Sequence, residues 1–155
     1  MDDRVEHHCR PEPQIVKEII AIARLLSGTW FTANVPEDTR KDLLFQDALC
    51  YRHAGRILSF LVFTSWDGSL HITLMGTHPE HRGKGYGSIL LQRLVEHAAS
   101  LGFERLVALT VPPEVNPHFQ ETLRFYAKHG FVLTKRYIEL WEDGALELVK
   151  TLPAR

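Results

Sequence analysis

Between Leu70 and Val111 an apolar strand-like run, a glycine-rich loop, a helix-like run and a second apolar run follow one another, and that order leaves few folds open. Leu70 to Thr77 reads as a strand. The loop His81-Arg82-Gly83-Lys84-Gly85-Tyr86-Gly87-Ser88 follows it. From Ile89 to Leu101 the spacing of Leu90, Leu91, Leu94, Val95, Ala98 and Leu101 makes one buried helical stripe, which Gly102 ends. Leu106 to Val111 is continuously apolar, as a strand covered on both faces must be. Strand, helix and strand in this order predict a parallel pair joined by a right-handed crossover.

The flanking segments supply the remaining layers. Gln14 to Ser27 carries Ile15, Ile19, Ile20, Ile22, Ala23 and Leu26 at helical spacing, with Gly28 as the stop. Pro36 to Phe45 predicts a second, shorter helix. Ala48 to His53, Ile57 to Thr64 and Leu70 to Thr77 are three runs divided by Ala54-Gly55 and Asp67-Gly68, the pattern of an antiparallel meander. Pro112-Pro113 stops the strand before it. Asn116 and Pro117 suit the cap and first position of a helix from His118 to His129. Phe131 to Trp141 and Ala145 to Thr151 are expected to pair across Glu142-Asp143-Gly144. The sum is an α/β fold: a mixed, mostly antiparallel sheet of about six or seven strands with about four helices on its faces. Residues 1–12 read as a flexible polar lead and residues 13–155 as a single domain, a size that supports one substantial core.

Charge and composition narrow the partners. Eighteen basic and nineteen acidic residues give a formal net charge of -1, so no overall basic field points to nucleic acid. No run reaches membrane-spanning length, and the first residues lack the pattern of a secretory signal. Cys9 and Cys50 form no disulfide framework, and the expectation is a reduced, cytoplasmic protein. The densest histidine clusters, His7-His8-Cys9 and His78-Pro79-Glu80-His81, lack the spacing of a zinc site, so no metal is expected.

The loop itself is an anion cradle. Glycines let backbone N–H groups approach a phosphate unhindered, and the helix that starts there adds free N–H groups and the positive end of its dipole. A P-loop is excluded, because His78 stands at its first glycine position and Lys84 is followed by Gly85. The dinucleotide pattern also fails: counted from Gly85, Leu90 replaces the third glycine. What remains is Arg82-x-x-Gly85-x-Gly87. This resembles the acetyl-CoA signature of the GNAT superfamily of N-acetyltransferases, [Q/R]-x-x-G-x-[G/A] between a strand and a helix. Phe125-Tyr126-Ala127-Lys128-His129-Gly130-Phe131 is similar to the later signature of that family, in the order the family uses.

The resemblance implies a GNAT-like fold with a strand-helix-strand acetyl-CoA core, and an acetyl-CoA-dependent N-acetyltransferase acting on a primary amine. It implies that Arg82, Gly83, Lys84, Gly85, Tyr86, Gly87 and Ser88 hold the pyrophosphate. The backbone of Met75, Gly76 and Thr77 would meet the pantetheine arm, and Asn116 would contact it or cap its helix. Tyr126 would be the general acid that protonates the departing thiolate. No single general base emerges. His71 and Thr73, which share a face of their strand, Glu139 on the last hairpin, and a water chain all remain open. Neither cysteine lies near a recognised site element, which favours direct attack in a ternary complex. Trp30, Phe31, Phe45, Tyr51 and Trp141 are candidates for an acceptor pocket or for core. The acceptor is a small-molecule or peptide amine, and members of the family are often homodimers. A non-catalytic acyl-CoA sensor on the same fold and a nucleotide-phosphate binder are the alternatives.

Overall fold

Two tight turns organise the middle of the chain. Ala54 and Gly55 have φ of 49° and 81°, and Asp67 and Gly68 have 53° and 74°. Positive φ at both central residues matches the right-handed twist of flanking strands, so each pair closes a two-residue hairpin. The computed structural model describes residues 3–153. In chain order the elements are β1 (Arg4–His8), α1 (Pro13–Leu26), α2 (Val35–Asp42), β2 (Asp47–His53), β3 (Arg56–Trp66), β4 (Ser69–Thr77), α3 (Tyr86–Ser100), β5 (Arg105–Thr110), α4 (Phe119–Lys128), β6 (Val132–Tyr137) and β7 (Ala145–Thr151). The seven strands form one sheet in the order β1-β2-β3-β4-β5-β7-β6. The β4–β5 pair is parallel, and β1–β2, β2–β3, β5–β7 and β6–β7 are antiparallel. The expected mixed sheet with four α-helices is the one observed.

The contacts group the chain into two compact units. The first runs to Thr64 and adds Thr73–Leu94. Its core sets Ile15, Ile19, Ile22 and Leu26 of α1 among Leu43, Ala48, Cys50, Ile57, Phe60 and Val62. Gly76 is part of this packing. A Cβ there would lie 2.9 Å from both Leu26 Cδ1 and Phe60 Cε1, closer than real carbon contacts allow. The second unit contains Ser65–Ile72 and the chain from Val95 onward. Leu106 and Ala108 of β5, Leu146 and Leu148 of β7, and Tyr126 and Phe131 are buried in it.

Several expectations are corrected. The polar lead is not free chain: Arg4–His8 pairs along its length with Ala48–Arg52, while residues 1 and 2 lie outside the described residues. Its mostly polar residues conceal a strand because both faces of an edge strand can stay polar. Helix α2 ends at Asp42 rather than Phe45, because the chain leaves the helix in successive turns from Leu43 to Gln46. Leu101 falls off the buried stripe and is 61% exposed, since α3 stops at Ser100 and Gly102 adopts φ of 85°. Asn116 does not cap α4, whose cap is His118. Its Oδ1 instead accepts the His118 amide at 3.1 Å, closing a side-chain turn ahead of the helix. The last hairpin is shorter than expected, because β6 leaves the ladder after Tyr137↔Ala145.

Candidate active site

In the first unit the glycine loop is fixed at both ends and open between them. At the strand end, His78 donates its amide to the Leu58 carbonyl at 2.7 Å, and His78 Nδ1 accepts the Glu80 amide at 3.2 Å. A single 3-10 turn, Pro79–His81, follows. At the helix end, Tyr86 is buried and stacks on Tyr51, with ring centroids 4.2 Å apart and planes 16° apart. The Tyr51 hydroxyl donates to Asp3 Oδ2 at 2.7 Å, and that carboxylate pushes the Tyr51 phenol up to about 12. Arg82, Gly83, Lys84 and Gly85 between these anchors are exposed.

Gly83 and Gly85 have φ of 79° and 84°, a left-handed conformation that side chains rarely adopt. A Cβ built on either would meet no protein atom within 4 Å. The glycines are therefore required by backbone conformation and not by crowding, and the space beside them is open to a ligand. The ladder of α3 starts with the Ile89 amide on the Gly85 carbonyl at 3.1 Å. The amides of Tyr86 and Gly87 precede it, in the first turn whose N–H groups a helix cannot satisfy internally. Ser88 lies in the same turn.

Positive charge is held over this loop. The Arg82 guanidinium carbon lies 4.0 Å from the centroid of the Trp30 ring, which itself packs on the core of this unit. Cation–π stacking of this kind restricts a long side chain before any anion arrives. Lys84 Nζ is 3.0 Å from His81 Nδ1. Partial desolvation, and then the charge of Lys84, lowers the pKa of His81 and favours its neutral form.

On β4, Ser59 Oγ donates to the Gly76 carbonyl at 3.2 Å and lies 2.9 Å from Thr77 Oγ1. Met75, Gly76 and Thr77 are half-buried. The parallel ladder of β4 with β5 stops at Ile72↔Ala108, although β4 itself continues to Thr77. Thr73 Oγ1 is 2.6 Å from Gln46 Oε1 and 3.2 Å from the Val62 carbonyl, so its one proton is committed to acceptors within the protein.

The second unit holds the other candidates. Tyr126 is 6% exposed, and its ring lies 5.0 Å from Phe131 and 5.4 Å from Phe125, both nearly edge-on. Burial raises its phenol above the ordinary range, which keeps the proton in place at neutral pH. His71 is half-buried, with Nε2 3.2 Å from the Trp66 carbonyl. A carbonyl only accepts, so Nε2 is the donor in this bond. Glu139 is exposed in the segment after β6 and not on a strand of the hairpin, a correction to its expected position. Of the aromatic candidates, Tyr51 and Trp30 serve the loop as described, Phe31 packs on the first core, and Phe45 is 80% exposed.

Three features escaped the sequence reading. The Trp30–Arg82 and Tyr51–Tyr86 stacks join residues far apart in the chain, and no local spacing announces them. Thr110 Oγ1, buried at the end of β5, is the one buried side-chain polar atom among the described residues with no hydrogen-bond partner.

Residues 17–131 match the acetyltransferase (GNAT) family. The chain belongs to that family. The two signatures that carried the resemblance, at Arg82–Gly87 and Phe125–Phe131, fall within the matched span. Among curated proteins, it is 28% identical over 119 residues to the L-amino acid N-acyltransferase MnaT of Escherichia coli K12, covering 70% of this chain and 66% of that protein, just under two thirds of its length. Among solved structures, the ribosomal-protein-S18-alanine N-acetyltransferase of Escherichia coli superposes with a TM-score of 0.80 at 10% identity, covering 99% of this chain and 96% of the other. A GNAT family acetyltransferase of Elizabethkingia anophelis with acetyl-CoA bound gives 0.72 at 18% identity, covering 97% and 98%. At these identities the structural likeness speaks for the fold.

Proposed function

We propose that this GNAT domain transfers the acetyl group of acetyl-CoA to the primary amine of a small molecule, by direct attack in a ternary complex. The observation that carries the reading is the loop at Gly83 and Gly85: two left-handed glycines, open on the side where a Cβ would stand, at the start of α3. A loop with these properties presents main-chain N–H groups to a diphosphate, and the helix dipole favours the same charge. Arg82, held on Trp30, adds charge-assisted contact, and Lys84 adds a second cation.

Acetyl-CoA supplies an activated acyl group and a thiolate leaving group. The protein binds and orients it. Backbone groups of Met75, Gly76 and Thr77, past the last β4–β5 pair, are suited to an extended amide-bearing arm such as pantetheine. Asn116 contributes at the entry to α4. Tyr126, which the family resemblance assigns as general acid, holds its proton firmly at neutral pH and gives it to the departing sulfur. Cys50 is unsuited to a covalent route, because burial pushes its thiol up to about 12. His71 is a base candidate through Nδ1, since Nε2 bonds the Trp66 carbonyl. The similarity to a protein named for L-amino acids supports an α-amino acid as the first acceptor to try.

The test is release of free thiol from acetyl-CoA across amino acids and other small amines, beside calorimetric titration of CoA. Turnover with at least one amine and saturable CoA binding are expected. Binding without turnover on any amine supports an acyl-CoA sensor instead. Stabilisation by ATP or NAD but not by CoA overturns the reading.

A further inference from the structure

The strand formed by the supposed lead creates a second cluster that the transferase reading does not use. We infer that His7, Cys9 and Asp47 form a binding site for a divalent zinc ion at the β1–β2 edge of the first unit.

The backbone places them together. The β1–β2 register runs from Arg4↔Arg52 to His8↔Ala48, so the next positions set Cys9 opposite Asp47. Opposed residues of an antiparallel pair point to one face, and residues two apart on a strand share a face. His7, Cys9 and Asp47 therefore project together, whereas His8 turns to the other face and bonds Glu6 Oε1 at 3.1 Å. Cys9 Sγ lies 3.7 Å from His7 Nε2, and Asp47 Oδ2 lies 3.8 Å from the same nitrogen. One donor atom from each of the three falls within 4.8 Å of the other two.

These distances discriminate between chemistries. A nucleophile relay needs the thiol on one imidazole nitrogen and the carboxylate on the other. Here both face Nε2, which is the geometry of a shared centre. A tetrahedral zinc with Zn–S of about 2.3 Å and Zn–N of about 2.0 Å holds its donors roughly 3.3–3.5 Å apart, so a contraction of a few tenths of an ångström brings His7 to that separation from both Cys9 and Asp47. Thiolate, carboxylate and neutral imidazole together balance the double charge, and the thiolate selects zinc over magnesium or calcium. The surroundings fix the donors. Arg10, turned back at φ of 46°, gives its amide to Asp47 Oδ1 at 3.0 Å and leaves Oδ2 facing His7. Phe63, opposite Asp47 in the β2–β3 register, lies 5.6 Å from the His7 ring and floors the cluster. Solvent supplies the fourth ligand, since Cys9 and His7 are exposed. The other cluster, His78, Glu80 and His81, has no thiol and carries the Lys84 ammonium 3.0 Å from His81. That charge repels a cation.

Binding displaces the proton of the Cys9 thiol, which passes to buffer as the Zn–S bond forms. The test uses the full chain, reduced and stripped of metal with a chelator. Zinc titrated by calorimetry in two buffers of different ionisation enthalpy is expected to bind at one equivalent with release of about one proton. Cobalt as the probe is expected to show thiolate-to-metal absorption with tetrahedral visible bands. Cys9→Ser should abolish that absorption and, like His7→Gln and Asp47→Asn, weaken zinc at least tenfold, whereas His81→Gln should not. In the unaltered protein, zinc should protect Cys9 from iodoacetamide, read by mass spectrometry. Millimolar or weaker binding, an octahedral cobalt spectrum without thiolate absorption, or affinity lost in His81→Gln but kept in Cys9→Ser overturns the proposal.

Discussion

Replacing Gly85 by alanine separates what the loop does for folding from what it does for the ligand. The added methyl meets no protein atom within 4 Å, so packing opposes nothing. The cost to the folded state is conformational. At φ of 84° an L-residue is strained by about 1–2 kcal/mol, which in a chain of this size lowers Tm by roughly 2–8 °C. The cost to CoA is larger. The methyl occupies the space beside the amides proposed to hold the diphosphate, and a hydrogen bond to a charged group contributes about 1.5–3 kcal/mol. Displacing one of them removes roughly 1.5–3 kcal/mol, about a 10- to 150-fold rise in Kd. Calorimetric titration of CoA into Gly85→Ala, beside a thermal melt, measures both. An unchanged Kd with the expected small loss of Tm would refute the cradle. Gly76→Ala is the contrasting case: its methyl would strike Leu26 and Phe60, so stability falls by about 1–3 kcal/mol, read by urea unfolding.

Tyr126→Phe keeps the buried ring and removes the proton donor, so kcat should fall about a hundredfold while the KM for acetyl-CoA moves less than about threefold; equal turnover excludes Tyr126 as the acid. Glu6 gives a pH signature. The hydrogen-bonded guanidinium of Arg52 holds its carboxyl down to about 2, below its ordinary 4.5, so the ion pair stabilises the fold fully above about pH 4.5 and loses that contribution as pH falls towards 2. The stability difference between the unaltered protein and Glu6→Gln should be about 1–3 kcal/mol at pH 7 and should shrink across that window in urea melts; a gap independent of pH contradicts the assignment. Thr110→Val, which removes the unpartnered buried hydroxyl, should raise stability by about 1 kcal/mol in the absence of ligand, measured in the same melts.

Periodicity carried the architecture well where one face of an element is buried. The α1 stripe, the two hairpin turns and the strand-helix-strand unit were all legible, because burial forces apolar residues into a repeating pattern. β1 was not, since an edge strand with polar side chains on both faces leaves no alternation to read. The loop glycines were legible as positions that leave room for an anion, whereas the φ near 80° at Gly83 and Gly85 emerges only in the folded chain. The Trp30 ring beneath Arg82 and the Tyr51–Tyr86 stack stayed hidden, because those contacts arise only when distant segments are folded together. The same is true of Asp47 beside His7 and Cys9.

Asp3 accepts from Tyr51 at 2.7 Å and lies 2.6 Å from His53 Nδ1, and Tyr51 is the ring on which the first residue of α3 rests. Trimming the chain to begin at α1, a natural choice for anyone who takes its opening residues as dispensable, would therefore remove a support of α3, the helix proposed to meet the diphosphate. On the proposed function, a shortened protein of that kind would be expected to fold yet hold CoA loosely, and its weak activity would be blamed on the wrong end of the molecule.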